Sequence, residues 1–205
     1  MQNLTANGKV WSGRDGNAND TFPSLKSLAA SDYPTENKCS IALRLSHGGF
    51  RYFSAGDMDH DVDYGRRPWG DIESAVAKAA GPVDVAVANH HGYVNACGPN
   101  WVTSLRPRAF IVSAWDSAHP TIPSLDNMLS QDLYRGPRGI FSTALKPENI
   151  IATKRLKEIQ SGNGHIVVRV PPDGRSFEVV ITTNHDESDT VSAKFGPYQT
   201  MLDRG

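Results

Sequence analysis

A chain of 205 residues with 39% hydrophobic and 21% charged residues has the composition of an ordinary globular protein, and its length is that of one domain. A formal net charge of −1 provides no overall basic field for nucleic acid or an anionic membrane. Met1 is followed by polar residues rather than a basic and then an apolar stretch, and no run approaches the roughly 18 apolar residues of a spanning helix. The expectation is therefore a chain without a membrane segment that resides in the cytoplasm, although its first residue need not be the true N-terminus. Cys39 and Cys97 are too few for a disulfide framework, lack a Cys-x-x-Cys spacing, and read as small buried hydrophobes.

In chain order, residues 1–37 are rich in Gly, Asn, Asp, Ser and Pro ("NGKVWSGRDGNANDTFPS") and read as a loop-rich segment. From Cys39 the pattern changes. "SIALRL" alternates with period two, "HGG" turns, and "FRYFSAG" resumes the alternation, predicting a β-hairpin that ends at Gly56-Asp57. "GDIESAVAKAA", with Ile72, Val76 and Ala79 at helical spacing and Gly81-Pro82 as a stop, predicts an amphipathic helix. "VDVAVAN" is a buried strand, "GPNWVTSLRP" a short helix opened after a proline, "AFIVSAW" another buried strand, "SLDNMLSQDLY" a helix capped by Ser124, and "GIFSTA" a short strand. "GHIVVRVPPDGRSFEVVITT" is a second hairpin, and residues 184–205 form a polar tail without periodicity.

The polar residues of interest follow the strands: Asp57 after "FRYFSAG", His90 and His91 after "VDVAVAN", and His119 a short loop after "AFIVSAW". Strand ends are where α/β folds place their chemistry. A carboxylate with imidazoles suits zinc, manganese or iron. Singly, each has a plainer reading as a turn or loop residue, but three strand ends converging on one edge favour a site. "HDVD" at His60–Asp63 reads mainly as a solvated loop, with Asp59 supporting the Asp57 site from behind. "FGPYQT" (195–200) reads as a docked tail, and His165 and His185 as structural or exposed. There is no Gly-x-Ser-x-Gly elbow and no Gly-rich phosphate loop.

The order "NKCSIALRLSHGGFRYFSAGD", "VDVAVANHHG", "RPRAFIVSAWDSAHP" resembles the later half of metallo-β-lactamase-fold hydrolases, in particular those similar to the hydrolase domain of the ComEC/Rec2 competence proteins. The resemblance spans about residues 37–143, and more loosely 164–182. It implies an α/β fold of the metallo-β-lactamase type, an αββα sandwich lacking its N-terminal half. Residues 38–183 would form the half-domain between the loop-rich segment 1–37 and the tail 184–205. It also implies a metal-dependent hydrolase of a small-molecule ester or a phosphodiester, with zinc or manganese as cofactor. Nucleic acid is a possible substrate that the charge does not itself indicate. Asp57 would bridge two ions and one histidine of the pair would ligate. His90 is assigned as that ligand, leaving His91 and His119 to act on the substrate, though the sequence alone leaves His90 and His91 interchangeable.

The family's His-x-His-x-Asp-His cluster does not occur anywhere before Asp57; the first histidine is His47, in a hairpin turn. Two readings follow. The chain is a fragment of a longer hydrolase and is inactive alone, its packing face left exposed, or it is a catalytically silent binding module on the same scaffold.

Overall fold

The computed structural model describes residues 1–14 and 16–201. The fold is mixed α/β, built around one eight-stranded sheet of order β3-β2-β1-β4-β5-β6-β7-β8. Its strands are β1 (Gln2–Ala6), β2 (Lys9–Trp11), β3 (Ala18–Asp20), β4 (Ala42–His47), β5 (Phe50–Ser54), β6 (Val85–Val87), β7 (Ala109–Val112) and β8 (Gly139–Ser142). Pairing is antiparallel from β3 to β5 and parallel from β5 to β8. A second sheet, β9 (His165–Arg169), β10 (Ser176–Thr182) and β11 (Val191–Gln199), has the order β11-β10-β9.

The parallel strands need crossovers, and helices supply them. α1 (Ile72–Ala80) joins β5 to β6, α2 (Pro99–Leu105) joins β6 to β7, and α3 (Ile122–Leu129) joins β7 to β8. α1 starts at Asp71, whose side chain accepts from Ser74 N, and stops at Gly81, where φ is +64°. It buries Ile72, Val76, Ala77 and Ala80, the stripe expected from a 3.6-residue period. These helices pack with Phe53, Ala86, Phe110, Val112 and Ile140 in the larger core. Trp101 lies at its centre, with ring centroids 6.4 Å from Phe53 and 5.6 Å from Phe110, so one aromatic stack ties α2 to β5 and β7.

The opposite face carries Phe50, Val85, Ala109, Ile111 and Phe141, and the second sheet covers it with Phe177, Val179 and Ile181. The apolar face expected to stand exposed is thus buried by the chain's own C-terminal hairpin. Helices on one face and a second sheet on the other give three layers.

Three expectations are corrected. The segment 1–37 is not only loop, because β1 pairs with β4 and extends the main sheet. Its strands escaped notice because they are short and largely polar; β3 is exposed at all three positions. The tail 184–205 contains β11, which pairs with β10 along most of its length. β11 has no fully buried residue, only Ala193, Phe195 and Tyr198 being half-buried, so its alternation is faint. Finally, α3 begins after Thr121 rather than at Ser124. Ser124 lies inside the helix, its one hydroxyl hydrogen shared between Tyr93 O at 2.6 Å and Ala96 O at 2.9 Å. A fourth short helix, α4 (Pro147–Ala152), follows β8. Of the cysteines, Cys97 is buried as expected and Cys39 only half-buried. No helix among the described residues is long and apolar enough to cross a membrane.

Candidate active site

β5, β6 and β7 all end on the same edge of the sheet, and the loops that follow them carry Asp57, His90–His91 and Trp115–His119. The loops are tied together by main-chain bonds. His90 N donates to Gly56 O (3.0 Å), so the residue before Asp57 anchors the histidine loop. Thr121 N donates to Gly92 O (2.9 Å), anchoring that loop to the start of α3.

His90 (φ +46°) and His91 (φ +58°) are consecutive left-handed residues. For non-glycine residues each such position costs about 1–2 kcal/mol, and such strain persists where surrounding bonds hold it. The turn they form ends at Gly92, with φ +76°. A Cβ at Gly92 would lie 3.0 Å from Pro120 Cβ, so only glycine lets the loop seat against Pro120. Gly92→Ala is expected to cost about 1–3 kcal/mol, read as a lower urea midpoint with unchanged m-value.

Each paired histidine has one nitrogen fixed. His91 Nδ1 is 2.8 Å from Ser113 O, a pure acceptor, so Nδ1 carries the proton and Nε2 faces the cleft. There it lies 3.4 Å from Asp57 Oδ1. An unprotonated Nε2 beside a carboxylate oxygen would set two lone pairs against each other, so this pair calls for a positive charge, either a proton on Nε2 or a cation shared with Asp57. His90 Nδ1 is 3.0 Å from Asn95 Oδ1, which likewise turns Nε2 away from the loop. Second partners of this kind set the tautomer of metal-binding imidazoles.

His119 is buried and its ring centroid lies 4.8 Å from that of His91. Its Nδ1 is buried without a hydrogen-bond partner. Burial, and then His91 beside it, push its pKa below the ordinary value, which keeps it neutral next to the charged pair. Trp115, 65% exposed, stands edge-on to both His91 and His119 and walls the cleft.

The structure brings Asp57, His91 and His119 together, and it is His91 rather than His90 whose ring lies within ion-pair distance of Asp57. His90 packs instead against Tyr93, at 5.2 Å between centroids. Asp59 does not support Asp57 from behind; it is buried in an ion pair with Lys38, whose Nζ also donates to Asp61 O (2.8 Å) and Gly70 O (2.9 Å). That knot closes the loop leading from Asp57 to α1. His165 and His185 are both exposed. The donors fit part of a divalent cation's shell, a carboxylate and a neutral imidazole nitrogen facing one space. Among the described residues no three His, Cys, Asp or Glu side chains stand together as a metal cluster.

Sequence reading missed Glu73, because it sits in α1 and looks like an ordinary helix-surface residue. It is buried and accepts from Cys97 N (2.7 Å), Gly98 N (2.8 Å) and Asn89 Nδ2 (3.0 Å). It thereby braces the histidine loop on both sides, at Asn89 before His90 and at the start of α2 after it. No protein-family model matches the sequence, and no curated protein is similar to it at a significant level.

Proposed function

We propose that the chain is the C-terminal part of a metal-dependent hydrolase of the metallo-β-lactamase type, acting on a phosphodiester or another ester with zinc or manganese. The observation that carries this reading is the Asp57–His91 pair, two side chains from separate strand ends held 3.4 Å apart by bonds that fix the imidazole tautomer. Helices on one face of the main sheet and a second sheet on the other accord with an αββα sandwich from which one outer layer is missing.

In this reading Asp57 and His91 Nε2 would hold the cation, so that His91 takes the ligand role expected of His90, and His90 steadies the loop through Asn95. The metal would supply a water acidic enough to ionise near neutral pH. His119, neutral and lined up against His91, contributes a hydrogen bond to the substrate or leaving group, and Trp115 shields the cleft from bulk water. Two protein donors cannot close a tetrahedral shell, so the remaining positions would be filled by water and by ligands from another segment. A silent binding module on the same scaffold is the second reading, favoured by the lack of a three-residue metal cluster among the described residues.

Calorimetric titration of chelator-treated protein with zinc or manganese separates the two. The hydrolase reading expects one weak site, lost in Asp57→Ala and in His91→Ala and kept in His165→Ala. Metal binding that is equally weakened by all three substitutions would remove the basis for the reading.

A further inference from the structure

The other end of the parallel strands carries a separate feature. Arg108 immediately precedes β7 and Arg138 immediately precedes β8. β7 and β8 pair in parallel with Ala109 beside Gly139, so the register sets Arg108 next to Arg138. Like charges on neighbouring strands repel, and among the described residues neither arginine forms an ion pair with a carboxylate. The lysine and arginine ion pairs among the described residues use Lys9, Lys38, Arg66, Arg67 and Arg155, and none uses Arg108, Arg135 or Arg138.

Both guanidiniums are nonetheless held in place by neutral groups. Arg108 lies 4.1 Å above the Tyr198 ring. Arg138 lies 4.6 Å above the Tyr134 ring and donates to Ser130 O (2.8 Å), Met128 O (3.2 Å) and Gly136 O (3.2 Å). Together with the exposed Arg135 they line one open cleft of about 520 Å³. Glu158, the one carboxylate on its wall among the described residues, is engaged by Arg155 at 3.0 Å. Leu129 and Pro137 give the cleft an apolar side.

We propose that this cleft, lined by Arg108, Arg135 and Arg138, binds a small phosphorylated molecule through its phosphate monoester dianion. Arg108 and the exposed Arg135 offer N–H donors to a ligand, while Arg138, its Nε and Nη1 held by main-chain carbonyls and its Nη2 buried, adds positive charge behind them. The summed charge favours a dianion, and the three terminal oxygens of a phosphate leave acceptors for both exposed donors where a carboxylate has two oxygens. The volume exceeds that of phosphate alone and falls within the range of small-molecule sites, with Leu129 and Pro137 left to receive the organic part. The site lies at the opposite end of β7 from His119 and does not depend on the hydrolase reading.

Calorimetry at fixed ionic strength with phenyl phosphate and with inorganic phosphate, followed in parallel by ³¹P NMR, tests this. Phenyl phosphate is expected to bind at one saturable site, and inorganic phosphate at the same site more weakly. Arg135→Ala and Arg108→Gln, each checked for an unchanged Tm, are expected to weaken phenyl phosphate about tenfold or more, since each removes a charge-assisted contact. Arg66→Ala, whose arginine is paired with Asp63, is expected to change it less than twofold. Affinity is expected to fall from pH 8 to pH 5.5 as the phosphate gains its second proton. The proposal is overturned if no saturable binding appears below about 10 mM, if benzoate binds as tightly as phenyl phosphate, if inorganic phosphate binds as tightly as the phenyl ester, or if Arg66→Ala weakens binding as much as Arg135→Ala.

Discussion

Glu73→Ala is expected to lower Tm by about 10 °C, measured by circular dichroism at pH 6. The substitution leaves Cys97 N, Gly98 N and Asn89 Nδ2 buried with no acceptor. An unsatisfied buried donor costs about 1–3 kcal/mol, and partial relaxation brings the total to about 3–5 kcal/mol, which at this chain length corresponds to about 2–4 °C for each kcal/mol. Glu73→Gln keeps one oxygen for Cys97 and Asn89 but turns an amide NH₂ toward Gly98 N, so its loss is expected to be about half as large. A Tm within 2 °C of wild type for Glu73→Ala would show that the loop does not rest on this carboxylate.

The same residue gives the stability a pH dependence of definite sign. Burial pushes the Glu73 carboxyl from its ordinary 4.5 up to about 8, against the pull of its three N–H donors. With the folded pKa above the unfolded one, the folded state binds the proton more tightly. Its contribution is full below pH 4.5 and declines as pH rises toward 8. Urea unfolding at pH 5, 6.5 and 8 is expected to show stability falling across this window in wild type, and falling less in Glu73→Gln.

How far the sequence foretold this arrangement depended on how completely each element is buried. β7 is buried at all four positions and β6 at two of three, so their apolar runs were plain. α1 showed its stripe because one face meets the core and the other meets water. β1–β3 and β11 sit at sheet margins, where one face or none is buried, and polar residues suffice there. That Asp57, His91 and His119 share one edge was legible because each lies in the loop after a strand whose direction could be read. Their mutual geometry was not, since it depends on His90 and His91 both adopting positive φ and on the Ser113 carbonyl that orients His91. Glu73 and Lys38 were missed for a common reason: a buried charge looks like a surface charge until its partners, 16 to 32 residues away, are seen.

The most demanding expectation concerns turnover. The 205-residue chain alone is expected to show no metal-dependent hydrolysis of bis-p-nitrophenyl phosphate above background, because Asp57 and His91 leave the cation with too few protein ligands to fix an attacking water in line. A longer chain that joins these residues to an upstream His-x-His-x-Asp-His segment is expected to become active with added zinc or manganese. In that chain Asp57→Ala is expected to lower kcat at least 10³-fold and to lower bound metal in step. His119→Ala separates two roles: a fall in kcat of about 10²-fold with metal content unchanged places His119 on the substrate, whereas a parallel loss of metal makes it a ligand. His90→Ala is expected to act through the loop instead, with a smaller fall in kcat and a lower Tm, since its imidazole bonds Asn95 rather than facing Asp57. Metal-dependent turnover by the 205-residue chain itself would mean that other residues, such as His47 or His60, complete the shell. A longer chain that binds two metals but leaves the phosphodiester intact would move the substrate to another ester or an amide, while keeping Asp57 and His91 as the groups that hold the ion.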